Sequence, residues 1–192
     1  MSLYRPYARR ENDPIMTREL ATDHFRILAL DRGEFLALRR DLEDFEEALD
    51  LSLAEGLLDD GVIARLEEAG AAVTAAGEDE LPWTAPWALA TLRDVVFGFL
   101  IFRGAPDETG TAALEIIAGE DWADRSAVAE IVSAIVDWAF GHDECRSLAA
   151  TAGDSPGIPA VRGLESLGFR REGKGSGPGT FRLWKAIEGR LL

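Results

Sequence analysis

Residues 111–151 place a strongly amphipathic helix between two apolar runs, and this arrangement restricts the fold more than any other feature of the sequence. Val128, Ile131, Val132, Ile135, Val136 and Ala139 stand at offsets of 0, 3, 4, 7, 8 and 11, which lines one helical face with apolar side chains. Gly141 stops the pattern, as a glycine past a helix end does. Residues 111–118 before the helix and 146–151 after it read as strands. A strand, a helix and a strand in succession predict a parallel pair, with the helix crossing one sheet face in the right-handed sense.

The strands before this unit are of another kind. Residues 88–102 carry Val95, Val96, Phe97, Phe99, Leu100, Ile101 and Phe102, β-formers dense enough for burial on both faces, with Asp94 marking a turn between two strands. The turn cluster Pro106-Asp107-Glu108-Thr109-Gly110 makes a hairpin with 111–118, so the sheet is antiparallel here. After the crossover come a loop over 153–159, a short helix over 160–167 ended by Gly168, and a final strand over 181–187.

The first half opens with a strand over 24–30 and a helix capped by Asp31 that runs through Phe35, Leu36 and Leu38. From 41 to 58, Leu42, Phe45, Leu49 and Leu53 recur every three or four residues among acids, which predicts one helix with a solvated acidic face. Ile63, Leu66 and Ala69 predict another over 62–73, followed by a loop over 77–82. Residues 1–22 are polar, contain Pro6 and Pro14, and show no periodicity, so they read as an arm. The expected organisation is an arm over 1–22 and one domain over 23–192, of mixed α/β (α+β) class, with a mostly antiparallel sheet and flanking helices.

Charge narrows the function. The chain holds 35 Asp+Glu against 20 Lys+Arg, a net charge of -15, and so acidic a surface repels phosphate backbones and anionic lipid heads. Residues 1–80 carry 20 acids and 9 bases, whereas 160–192 carry 3 acids and 7 bases, so an anion site belongs toward the C-terminus. No run approaches the ~18 apolar residues of a membrane span. One cysteine, Cys145, excludes an intrachain disulfide and a thiolate metal cluster. With no apolar signal-peptide core at the N-terminus, the expected location is cytoplasmic.

Several segments fall in one register. Pro86-Trp87, Gly98-Phe99 and the run Phe102-Arg103-Gly104-Ala105-Pro106-Asp107-Glu108-Thr109-Gly110-Thr111 are followed by Asp137-Trp138-Ala139-Phe140 and Leu164-Glu165-Ser166-Leu167-Gly168-Phe169. Over roughly 83–187 this order resembles the GNAT acetyltransferase superfamily, above all the branch of ribosomal-protein N-terminal acetyltransferases. The resemblance implies a GNAT-like mixed sheet and acetyl-CoA as co-substrate. It also implies a pyrophosphate site where a loop enters the central helix, built from backbone N–H groups and the helix dipole. The implied activity is N-acetyl transfer to a primary amine, of a small molecule or a protein N-terminus.

The resemblance places the cofactor at Ile116, Ile117, Ala118, Ala123, Asp124, Arg125, Ser126, Ala127, Val128 and Gly157. Family members spell the loop Arg/Gln-x-x-Gly-x-Gly/Ala; here those positions are Ala123, Ser126 and Val128. An Asn-x-x-Ser pair of the family is Gly157 and Ala160 here, and Leu164 stands where some relatives have a tyrosine. Asp121 and Asp124 bring negative charge toward the phosphates, with Arg125 as the compensating cation. These departures open the alternative of a non-catalytic binding or interaction module on the same scaffold.

Glu115, on the strand matching the family's fourth, is the candidate base for the attacking amine; alternation alone leaves open which face it takes. His24 and His142 show no metal or triad spacing, Cys145 reads as a small core residue, and Trp138 and Trp184 as core. Trp122 fills the core or covers an adenine. The run 173–179 lacks the strand-to-helix setting of a phosphate loop and reads as a turn. The expected partner is a small-molecule or peptide amine, which the acidic surface favours as a cation. No nucleic acid, membrane or metal is expected, and a homodimer is left open.

Overall fold

The computed structural model describes residues 18–118, 125–152, 158–172 and 180–184. The expectations for Trp122 and for the run 173–179 lie outside them. Strand β1 (Glu19–Ala21) pairs with β2 (Phe25–Ala29), and helix α1 (Arg32–Arg40) follows. Asp31 starts α1: its side chain accepts from the Glu34 N–H while the Glu34 carboxylate accepts from the Asp31 N–H, a reciprocal cap. The Asp41 side chain accepts from the Glu43 N–H and opens α2 (Leu42–Leu49) directly behind α1.

Here the expected single helix over 41–58 fails. Asp50 adopts φ 52°, ψ 44°, a left-handed conformation that ends the helix and donates its N–H back to the carbonyls of Glu46 and Glu47. Leu53 therefore sits in a two-residue strand, β3 (Ser52–Leu53), although its spacing is helical. Next come α3 (Asp60–Ala75), capped by Asp59, and a 3-10 turn over Glu78–Trp83 in place of the expected loop.

β4 (Trp87–Thr91) and β5 (Val95–Phe102) are joined through Asp94 at φ 62°, the turn expected there. β6 (Thr111–Ala118), α4 (Arg125–Phe140) and β7 (Ser147–Ala152) form the crossover unit, followed by α5 (Ile158–Ser166), β8 (Arg170–Glu172) and β9 (Thr180–Trp184). The strand order is β1-β2-β4-β5-β6-β7-β9-β8; among the described residues only the β6–β7 and β3–β5 pairs are parallel. β1 and β8 close the two ends of the sheet. Glu19–Ala21 thus belongs to the sheet although the sequence reads it as part of the arm.

Two apolar cores lie on the two faces. Phe35 and Leu38 of α1, Phe45 of α2 and Leu66 and Val73 of α3 cover one face with Ala88, Val96, Phe99 and Ile101. Val128, Ile131, Val132, Ile135 and Ala139 of α4, with Leu164 of α5, cover the other against Trp87, Leu100, Leu114 and Leu148. Each large side chain so buried contributes about 1.5–3 kcal/mol, which is why the α4 periodicity is so regular. At the β5–β6 hairpin, Gly110 has φ +79° and lies so close to Glu144 and Arg146 that a Cβ would approach them to 2.8 Å. Its carbonyl accepts from the N–H groups of Arg146 and Ser147, which locks the hairpin to the start of β7.

Candidate functional site

β6 and β7 pair in register from Thr111–Ser147 to Ile116–Ala152. β6 continues for Ile117 and Ala118, which pair with Phe99 and Gly98 of β5, while the described residues of β7 end at Ala152, opposite Ile116. Along β5, past the Gly98–Ala118 pair, β3 takes the neighbouring lane, paired with Val95 and Val96. α4, which begins at Arg125, connects the two parallel strands, so its start follows the C-terminal end of β6 in the chain. The C-terminal ends of parallel strands and a helix N-terminus are where α/β folds commonly hold ligands.

Ile116, Ile117 and Ala118 form this end of β6, with Ile116 packed against the α4 core and Ile117 against the opposite core. Arg125, Ser126, Ala127 and Val128 are the first turn of α4, which carries no acid. Ser126 is exposed, whereas Ala127 and Val128 are buried. The Val128 side chain belongs to the core beneath the helix, with Ile131 and Val132. Ala123, Asp124 and Gly157 lie outside the described residues.

Glu115 takes the face opposite α4. It is the one charged residue among the described residues that is buried, with a side chain 7% exposed. Its Oε2 accepts from Nη2 of Arg103 at 2.5 Å, and its Oε1 lies 3.5 Å from Nη1 of Arg65. Both guanidiniums also reach Glu68 on the exposed side, at 3.3 Å from Arg103 and 3.9 Å from Arg65. The result is a ring of two carboxylates and two guanidiniums joining α3, the end of β5 and β6. The sequence reading missed Arg65, Glu68 and Arg103. The Arg65–Glu68 spacing on one helix and the hairpin register, in which the Arg103 N–H donates to the Ala113 carbonyl, were the available signals.

The histidines are structural. The backbone N–H of His24 donates to Glu130 of α4 at 2.9 Å, and its Nδ1 lies 3.0 Å from the same carboxylate, which fastens the β1–β2 turn to α4. Burial pushes the Glu130 carboxyl up, but bonds from the Thr22 hydroxyl and from His24 outweigh it and hold the group below its usual 4.5. His142 donates from Nδ1 to the Trp138 carbonyl and stacks edge-on to Trp83 and Trp138. Cys145 is buried. Among the described residues no group of three His, Cys, Asp or Glu could hold a metal, and no helix is long and apolar enough to cross a membrane.

No protein-family model matches the sequence, and no curated protein matches it. Solved structures do match the fold. A Vibrio cholerae protein, named provisionally as a ribosomal-protein-serine acetyltransferase, superposes with a TM-score of 0.56 at 14% identity, over 88% of this chain and 100% of that one. AAC(6')-Ib in complex with ribostamycin and coenzyme A gives 0.54 at 16% identity, over 85% and 94%. An acetyltransferase of the GNAT family from Bacillus anthracis gives 0.52 at 11% identity, over 86% and 98%.

Proposed function

Since the chain has the fold of the GNAT acetyltransferases, we propose that it is an acetyl-CoA-dependent N-acetyltransferase acting on a primary amine. The observation that carries this reading is the parallel β6–β7 pair joined through α4, with a buried carboxylate on the face opposite α4. The acetyl-CoA pyrophosphate lies at the first turn of α4, Arg125–Val128, where the positive end of the helix dipole favours anions and no acid of that turn opposes it. The pantetheine runs along the β7-facing edge of Ile116–Ala118 and brings the thioester to the other face.

Acetyl-CoA supplies the activated acetyl group. An acceptor ammonium releases a proton to Glu115, and the neutral amine attacks the acetyl carbonyl. The C–N bond forms, the C–S bond breaks with its electron pair going to sulfur, and one of the two protons left on the nitrogen passes to the thiolate while the other stays on the amide. The acidic surface favours cationic acceptors.

A second reading, a non-catalytic module on the same scaffold, is favoured by Ala123, Ser126 and Gly157, which depart from the family pattern. Calorimetry with acetyl-CoA separates the two. We expect the wild type to bind, and the double variant Asp124→Gly, Ser126→Gly to bind about tenfold tighter as ~1.4 kcal/mol is regained. The absence of binding by either protein would overturn the acetyltransferase reading in favour of the module.

A further inference from the structure

We infer that Arg103 is the gate of the acceptor subsite: its guanidinium holds the place on Glu115 that the ammonium of a cationic primary amine takes, and Glu68 receives Arg103 when it is displaced. This rests on the acetyl-transfer reading and adds to it a specificity element outside the cofactor cleft.

A carboxylate as buried as that of Glu115 persists only with a counter-charge, and removing the partner without replacement is strongly unfavourable. The counter-charge is itself accessible. Arg103 is 46% exposed and Arg65 40%, against 7% for the carboxylate between them. On the same face of the sheet Glu115 has Ile101 opposite it on β5 and Ile117 two residues after it, whereas the neighbours toward β7 are smaller: Ala113 two residues before it and the exposed Thr151 opposite it. The two guanidiniums, far more exposed than the carboxylate they pair with, are the polar groups between it and solvent. An acceptor reaches it by taking the place of one of them.

Arg103 is the one that can leave. Its backbone is fixed by the bond to the Ala113 carbonyl, and its side chain already shares its charge between two carboxylates through different nitrogens. Nη1 faces Glu68, which is 57% exposed, and Nη2 faces Glu115. When an ammonium pairs with Glu115, Arg103 keeps Glu68, so one ion pair replaces another and no charge is left alone. A neutral ligand offers Glu115 nothing in exchange and leaves the gate shut. Discrimination between cationic and neutral acceptors follows from this exchange, since a ligand shifts an equilibrium only by its differential affinity for the two states.

Spermidine is a suitable probe, titrated into the full chain at pH 7. Arg103→Gln should bind it about tenfold more tightly than wild type, Glu68→Gln several-fold more weakly, and Glu115→Gln without measurable affinity. In the wild type, spermidine should shift the Arg103 Nε–H resonance and leave that of Arg26, paired with Glu19 and Asp94, in place. This readout needs no variant to fold. Unchanged affinity in Arg103→Gln, or an unmoved Arg103 resonance under saturating spermidine, would overturn the gate. Acetyl-CoA affinity, measured on the same samples, separates the two ideas. If acetyl-CoA fails to bind while spermidine still moves Arg103, the transfer reading falls and the cation site stands. If acetyl-CoA binds and Arg103 does not respond, the gate alone falls.

Discussion

Trp87 and Trp138 face each other edge-on at 4.8 Å in the same core, and their indole N–H groups meet different fates. Trp87 donates to the Pro82 carbonyl at 2.8 Å, whereas Nε1 of Trp138 is buried without a hydrogen-bond partner among the described residues. Around Trp138 stand the rings of Trp83, Phe102 and His142. Replacing either tryptophan by phenylalanine removes similar volume, but the polar consequences are opposite. Trp87→Phe strands a buried carbonyl, at a cost of about 1–3 kcal/mol, whereas Trp138→Phe removes a donor that was already unpaired. Urea unfolding should therefore find Trp87→Phe less stable than Trp138→Phe by about 1 kcal/mol or more. Equal losses would mean that the Trp138 N–H has a partner after all. The same residue-level contrast explains Glu115: its strand was legible from the apolar run, but its guanidinium partners depend on how α3 lies across the sheet, which no spacing in β6 encodes.

Elements are joined here by few polar contacts, and the bond from Glu130 to the β1–β2 turn is the clearest case. The folded-state carboxyl lies below its ordinary 4.5, so its contribution is fully present above about 4.5 and is lost as the pH falls from there through the folded value. Glu130→Gln should lower stability at pH 7 by about 1 kcal/mol, a modest figure because the group is partly exposed, and should flatten the fall in stability between pH 5 and 3. Parallel slopes for the two proteins over that range would remove the titration argument. The elements that were legible in the sequence are those of five residues or more whose apolar pattern or flanking turn residues mark them: β2, β4, β5, β6, β7 and β9, and the helices α1, α3, α4 and α5. β1, β3 and β8 span three, two and three residues, too few to show alternation, and are made by pairing with neighbours distant in sequence. The helical spacing of Leu53 misled because Asp50 ends α2 in a left-handed conformation, and an aspartate adopts that conformation without any mark in the apolar pattern. At the candidate site the parallel β6–β7 pair followed from the crossover pattern. The position of β3, beside β5 in line with β6, did not.

At the scale of the molecule the charges are unevenly placed: 20 acids and 9 bases precede residue 81, and of the acids on α2 Glu43, Asp44 and Glu47 are exposed. Arg40 lies 3.8 Å from Asp44, and both side chains are largely exposed, so this pair offsets little of the local repulsion. A net charge of -15 therefore opposes the compact state through repulsion spread over distances greater than any ion pair. Salt acts on the two in opposite directions. Raising ionic strength from about 0.01 M to 0.15 M shortens the screening length from about 30 Å to about 8 Å, which suppresses the long-range repulsion and weakens exposed pairs that were worth at most ~1 kcal/mol each. Contacts at 2.5–3.5 Å, such as those around Glu115, lie well inside the shorter length and are partly buried, so they are screened less. The repulsion should dominate the balance, and the melting temperature at pH 7 should rise as NaCl is added, by roughly 2–4 °C for each kcal/mol recovered in a chain of this size. A melting temperature that falls over the same salt range would show that the exposed ion pairs carry more of the stability than the repulsion takes away.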